Sequence, residues 1–339
     1  MHKLSKYIIS LFSGYFFSIF MPIIAIGSLV LFVRIAKLTE IAHMTASEML
    51  LMYSYSLPTI LFYTLPIIFF TSLIITLNRL SNDYETIVLF SFGISPLRII
   101  RIFLPSVLLL CITLMVLSIV LIPITKQLTK SFINYKRVNI ALNIKASKFG
   151  QKFDDWMLFL ESRTKDKTMH NIVLYNASNL KEEQFLIAKE GKFFNENGTI
   201  GLMLNDGQAY KIVEDKIDQI NYKTLVLYHN ANIKPFSYQN IPQYWKAAID
   251  NSKRLKDLII YISVSLFPLV TLFWAFAFGI LHHRYDKNYS YIMLLIVIST
   301  YYGAVSYLAK TAPVSTFGFI LFFTALGGII FYAKVQRRF

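Results

Sequence analysis

Six stretches of this chain are long, apolar and nearly free of charge, and nothing else in the sequence limits the fold so strongly. They run Tyr7–Val33, Met49–Leu77, Ile102–Thr125, Leu258–Leu281, Tyr289–Ala309 and Thr311–Ala333. A helix rising 1.5 Å per residue needs about 20 apolar residues to cross roughly 30 Å of hydrocarbon. Each stretch therefore predicts a membrane-spanning helix. The first is too long for the apolar core of a secretion signal and has no clear small-residue cleavage site, so it too is read as a span. The last two are separated mainly by Lys310 and Pro313, which predicts a tight hairpin. Pro22, Pro58, Pro66, Pro105, Pro123 and Pro268 lie in or near the spans. They predict kinks in a packed bundle, where neighbouring helices satisfy the freed carbonyls.

The formal net charge of +15 would suggest nucleic acid as a partner if the protein were soluble. Placed on the spans, the charge sets orientation instead. With the N-terminus inside, Lys3, Lys6, Arg79, Arg98, Arg101, Arg284, Lys287, Lys334, Arg337 and Arg338 are cytoplasmic. The two short outer loops then carry only Arg34, Lys37 and Lys310. The positive-inside rule puts both termini in the cytoplasm and the long segment 126–257 outside. The expected fold is a membrane α-helical bundle of six transmembrane helices, 1–125 and 258–339, with an all-β domain inserted at 126–257.

Within that insert the pattern changes to short runs punctuated by turn residues. Candidate strands are Trp156–Glu161, Asn171–Tyr175, Gln184–Phe194, Thr199–Leu204, Gln208–Val213 and Ile217–His229. Asn197-Gly198 is a hairpin signal, because a type I′ turn needs positive φ at both central positions. Asn205-Asp206-Gly207 reads as another turn. A sandwich, a jelly roll or a curled sheet would each fit. The segments 126–147 and 239–257 read as helical stalks joining the insert to the third and fourth spans.

Several chemistries lack their residues. No phosphate-binding glycine loop is present, so nucleotide hydrolysis is not expected of this chain. No Cys/His cluster has metal-ligand spacing. His282-His283 are adjacent and do not share a helix face. The single cysteine, Cys111, sits in the third span and reads as a buried apolar thiol. Ionisable groups are nearly absent from the spans, which argues against an ion-coupled carrier.

The loop between the second and third spans is the most informative stretch. Asn82 is placed to cap a short helix, with Glu85 at the third helical position as in a capping box. Asp83 and Glu85 suit the positive end of the helix dipole. Gly93 fits the left-handed position that closes a helix. Ser95-Pro96 then begins the next one. A helix over about 83–92 follows, with Tyr84, Ile87, Val88 and Ser91 on one side. It could rest at the headgroups, or it could dock a soluble partner and pass its movement to the spans.

These residues resemble the LptF/LptG permease family of the lipopolysaccharide export system. The resemblance is carried by Leu65-Pro66, then Leu77 to Leu80, then Ser81-Asn82-Asp83-Tyr84-Glu85, and then Gly93-Ile94-Ser95. The order of three spans, an insert and three spans also agrees along the whole chain. The resemblance implies a periplasmic jellyroll-like insert and a multi-pass protein of the bacterial inner membrane. It implies a paralogous permease as partner in an LptF/LptG heterodimer, an LptB ATPase dimer, and LptC and LptA beyond. The cargo would be lipopolysaccharide or lipooligosaccharide. ATP and Mg²⁺ would belong to the ATPase, with no cofactor, metal, catalytic residue or nucleic acid on this chain.

Carried over residue by residue, Glu85 becomes the acid of the ATPase-coupling helix, with Asp83, Tyr84, Ile87, Val88 and Gly93 around it. Arg34 and Lys37, three apart on one helix face, become candidates for a phosphorylated lipid headgroup, as does Lys310. They also read as ordinary anchors that snorkel to the interface. Trp156, Leu158, Leu160 and Tyr210 become candidate acyl-chain contacts, together with Phe193, Leu202 and Leu204. The same residues would fill any closed β core. Val33-Arg34-Ile35 leans to LptF, while the Arg34/Lys37 pair suits LptG equally. Another ABC-type lipid or lipoprotein exporter, or a secondary carrier without an ATPase, is the competing reading.

Overall fold

A computed structural model describes residues 2–42, 44–142, 151–153, 156–164, 168–179, 182–196, 199–213, 216–229, 238–280 and 289–337. The chain forms two compact units. One comprises Met1–Lys37, Thr45–Leu128 and Gln239–Phe339, and the other Leu38–Met44 and Thr129–Tyr238.

The first unit is helical. The helices are α1 (His2–Ala42), α2 (Ala46–Asn82), α3 (Glu85–Ser91), α4 (Pro96–Val116), α5 (Ile122–Leu142), α6 (Ile241–Lys246), α7 (Ser252–Val270), α8 (Leu272–Gly279), α9 (Ser290–Thr311) and α10 (Ser315–Phe331), of which 38–42 of α1 and 129–142 of α5 belong to the second unit. Six helical runs in it are long and apolar enough to cross a membrane. One joins α4 to α5 through a π-helical turn at Leu117–Leu121, and another joins α7 to α8 across Thr271. The π turn lies just before Pro123, which has no N–H to donate to the ladder. Hydroxyls inside the spans bond back to their own helices, as Thr76 does to the Ser72 carbonyl at 2.7 Å and Ser263 to Ile259 at 2.7 Å. That keeps polar atoms satisfied where no water reaches.

The core of this unit is aromatic. Phe70, Phe103, Phe267, Phe276, Tyr301 and Phe331 are all at most 2% exposed. Tyr301 donates to the Ser263 carbonyl at 2.7 Å, so its one polar atom is matched. Trp274 donates from Nε1 to the Phe323 carbonyl at 3.0 Å. That contact needs Gly327, because a Cβ there would lie 2.5 Å from the indole.

The second unit is one antiparallel sheet in the order β1-β2-β3-β4-β5-β6, each strand beside its neighbour in sequence. The strands are β1 (Gln151–Phe153), β2 (Trp156–Arg163), β3 (Met169–Asn179), β4 (Glu182–Glu196), β5 (Thr199–Val213) and β6 (Lys216–His229). Its core draws only on strand side chains among the described residues, yet Leu160, Ile172, Leu174, Leu202 and Leu204 are fully buried. A single flat sheet would leave one face open, so this one curls over its own apolar face.

The curl follows a row of extra residues. Ile172 and Met169 are both buried although they are three apart, and so are Ala188 and Gly191. Strict alternation would put each such pair on opposite faces. One added residue per strand reconciles them: Asn171 (φ 50°), Lys189 and Asp206 (φ 51°). The ladder pairs Ala188 with Gly207 and Glu190 with Asn205, passing over Lys189 and Asp206. Neighbouring strands carry the extra residue at the same level, so the register resumes unchanged beyond it.

Two expectations are corrected here. Asn205-Asp206-Gly207 is not a turn; β5 runs unbroken through it, and the positive φ serves the bend in a long strand. Tyr210 does not share the core face with Leu202 and Leu204. The extra residue at Asp206 turns Ala209 inward in its place, and Tyr210 pairs on the other side with Phe185. The pairs Asn197-Gly198 and His282-His283 lie outside the described residues, as does 143–147 of the first stalk.

Candidate functional site: the short helix between two spans

Helix α2 continues through Asn82, and its end is marked by Asp83. Asn82 therefore does not cap the next helix. Tyr84 does, in a left-handed conformation (φ 62°). Glu85 becomes the first residue of α3, and the capping box expected from the sequence does not form. Its carboxylate instead accepts from the Tyr7 hydroxyl of α1 at 2.9 Å. The raised density of acids at the helix start still suits the dipole. A reciprocal bond of the expected kind occurs one span earlier, where the Thr45 N–H donates to Glu48 at 2.8 Å.

The far end of α3 follows the sequence closely. Gly93 is left-handed (φ 78°). Its N–H donates to Phe90 at 2.9 Å, and that of Ile94 to Leu89 at 3.1 Å. This is the paired closing pattern of a helix that ends on glycine. Ser95 is extended and Pro96 opens α4.

The helix is two-faced. Thr86 is 1% exposed, and Leu89 and Phe90 pack against the bundle core. Tyr84, Val88 and Phe92, four residues apart, are 55%, 50% and 79% exposed. The helix thus carries an exposed apolar stripe opposite the face that anchors it.

Around it stands a polar border. Arg79 donates to Asp83 at 3.1 Å and to the Tyr15 hydroxyl at 3.1 Å. Arg79 and Asp83 are exposed, so salt screens their pairing. Tyr7, Ser10, Gly14, Tyr15, Ser18 and Arg79 line a cleft of about 410 Å³ beside α1. Behind Thr86 the packing is close. Its Oγ1 reaches Ser81 Oγ at 3.5 Å, and Ser81 Oγ reaches the Gly279 carbonyl at 3.5 Å.

At the other end of α5 and α7 the structure shows a network that sequence reading missed. Lys126 donates to Asp257 at 2.9 Å and to the Tyr261 hydroxyl at 2.8 Å. The Gln127 side chain pairs with the backbone of Gln239 in both directions, at 3.1 and 2.9 Å. Trp245 donates from Nε1 to the Ile119 carbonyl at 2.9 Å. That carbonyl is free because Pro123, four residues on, has no N–H. These bonds stitch the point where the chain leaves the bundle to the point where it returns. Pro123 was the available signal. The partners lie more than 110 residues away, as with Gln127 and Gln239 at 112.

The remaining expected residues are placed as follows. Arg34 and Lys37 are exposed on α1, and Lys310 is exposed in the last turn of α9. Leu158 and Leu160 are buried in the core of the sheet, with Trp156 and Phe193 packed against it. Outside that core, Phe159, Val173 and Ile187 floor an open groove of about 980 Å³, with Glu161, Asn171, Lys189 and Asp206 along it. Among the described residues no group of three or more His, Cys, Asp or Glu could hold a metal.

A family model described as the lipopolysaccharide export system permease LptF/LptG matches residues 6–333. No curated protein matches the chain.

Proposed function

The chain belongs to the LptF/LptG family of lipopolysaccharide export system permeases, and from that we propose that it is one of two paired transmembrane subunits of an ABC transporter. In this reading the pair lifts lipopolysaccharide from the inner membrane and passes it to the periplasmic proteins LptC and LptA. The observation that carries it is α3. A seven-residue helix packs on the bundle through Thr86, Leu89 and Phe90 while Tyr84, Val88 and Phe92 are exposed at and beyond its ends and on its outer face. A permease without a nucleotide site needs such a helix to receive force from a soluble ATPase, here the LptB dimer with its ATP and Mg²⁺.

Orientation follows from charge. The cationic ends at Lys3, Lys6, Arg79, Arg98 and Arg101 support a cytoplasmic α3, with residues 126–257 in the periplasm. Helix α1 supports the pairing. Its buried side chains in the helical unit are Ile8, Phe12 and Ile35, while Phe17, Met21, Leu29 and Val33 are at least 50% exposed. A second permease would cover part of that surface. Arg34, Lys37 and Lys310 would meet the phosphates of the lipid headgroup at the outer leaflet, where guanidinium and ammonium groups both suit phosphate. The β domain would receive the acyl chains, with Trp156 at the rim of its apolar core.

Co-expression with the partner permease and the ATPase tests this. The ATPase should co-purify with the wild-type chain and be lost with Glu85→Arg, which breaks the Tyr7 contact and reverses the charge at the start of α3. Absence of the ATPase from the wild-type complex would refute the reading.

A further inference from the structure

We infer that Asn78 and Thr86 are positioning residues that couple α3 to the end of α8 and the start of α9, through two buried polar contacts one turn apart along α2. The inference rests on the proposed docking of an ATPase at α3 and names how that contact is relayed.

The first contact centres on Ser290, the first residue of α9, which is 2% exposed. Its hydroxyl lies 2.6 Å from the Phe278 carbonyl at the end of α8 and 3.1 Å from the Asn78 side-chain amide of α2. A hydroxyl has one proton to give, and the shorter contact takes it. With Asn78 Oδ1 facing Ser290, two acceptors compete for that proton and the buried Nδ2 lacks a partner. Half a turn of the amide ends the competition and exchanges a buried unpaired donor for an acceptor. Asn78 Nδ2 then donates to Ser290 Oγ, which donates to Phe278. One turn along α2, Ser81 Oγ stands 3.5 Å from the Gly279 carbonyl and 3.5 Å from Thr86 of α3.

The geometry separates a firm part from a soft part. The Ser290 bond to Phe278 is short. The two contacts at Ser81 are at the long limit for hydrogen bonding and exchange easily. Asn78, Ser81 and Thr86 are at most 4% exposed, so no water substitutes when one link shifts. The backbones are held close at this level, because a Cβ on Gly279 would lie 2.7 Å from Leu77. A displacement of α3 therefore bears on Gly279 through Ser81, and Gly279 adjoins Phe278, whose carbonyl Ser290 holds. These residues border the carbonyl end of α8, where the chain passes from the fourth span to the fifth.

The test uses the whole complex of both permeases and ATPase in proteoliposomes, reading lipid moved per ATP hydrolysed. Thr86→Val keeps the shape and removes the hydroxyl, and Thr86→Ser restores it. The double variant Asn78→Leu with Ser290→Ala removes both sides of the 3.1 Å contact together. The expected result is wild-type ATPase recovery and ATP turnover within about twofold, with lipid moved per ATP falling at least fivefold and Thr86→Ser near wild type. Unchanged lipid per ATP in Thr86→Val and the double variant would overturn the inference. So would a fall in ATPase recovery that matches the fall in transport, since the residues would then merely hold α3 in shape. Failure of the wild-type complex to bind ATPase is a separate result, and it would sink the reading beneath the inference.

Discussion

The first and fourth spans are both apolar, yet one is packed and the other is not. The first span, Lys3–Lys37, is the more apolar, yet none of its most apolar stretch is buried, while two thirds of that of the fourth, Ser252–Gly279, is. Hydropathy thus says that a helix can enter a membrane and says nothing of what it touches there. Lipid tails are as apolar as leucine, so packing inside a bilayer is decided by shape and by polar matches. The fourth span has both: Ser263 accepts from Tyr301, and the Trp274 ring lies over Gly327. The first span offers Ser10, Gly14 and Ser18 on one face, and a Cβ added to Gly14 meets nothing within 4 Å. What the chain buries in α7 and α8 it supplies for itself; what α1 leaves open awaits lipid or another subunit.

The sharpest way to break this contrast is truncation on each side of it. Phe267→Ala, in the core, should lower stability by about 3–5 kcal/mol, seen as a large drop in the detergent unfolding midpoint. Leu29→Ala on α1 should stay within about 0.5 kcal/mol for the chain alone. Equal losses would show that α1 packs on its own chain after all. The glycines give the next contrast. Gly327→Leu forces the Trp274 ring aside and should cost about 1–3 kcal/mol. Gly14→Leu should leave the midpoint unmoved while weakening recovery of the partner permease, measured by paired affinity tags.

The same contrast is legible on a smaller scale in α3. Its existence, its closing glycine and the start of α4 could be read from Gly93 and Ser95-Pro96, because backbone conformation there is dictated locally. Its beginning could not. Tyr84 takes a left-handed conformation that no local rule assigns to tyrosine, and Glu85 is claimed by Tyr7, 78 residues away. The sheet teaches a similar lesson. Asn205-Asp206-Gly207 carries the chemistry of positive φ, and that much was right. A turn and a bend in a long strand ask for the same residues, and only the partners at Lys189 and Asn171 tell them apart. The stitching of Lys126 to Asp257 and of Trp245 to Ile119 was not legible, since nothing local marks a partner so distant.

A smaller effect sharpens the comparison at α3 itself. Phe92→Asp places a charge on the open stripe, where solvent already reaches, so folding should change by less than about 0.5 kcal/mol. ATPase recovery should fall severalfold in a pull-down. Thr86→Val, on the buried face of the same helix, should leave that recovery intact. The opposite pattern would mean that the stripe is covered by lipid and that the partner binds elsewhere.

The most direct test of the account is transport itself. Both permeases and the ATPase would be reconstituted in proteoliposomes loaded with labelled lipopolysaccharide, and transfer to a soluble periplasmic acceptor followed with and without ATP. The account predicts transfer that requires ATP and this chain, and that is lost with Phe92→Asp. Transfer that proceeds equally without ATP would contradict it and leave a carrier as the better description.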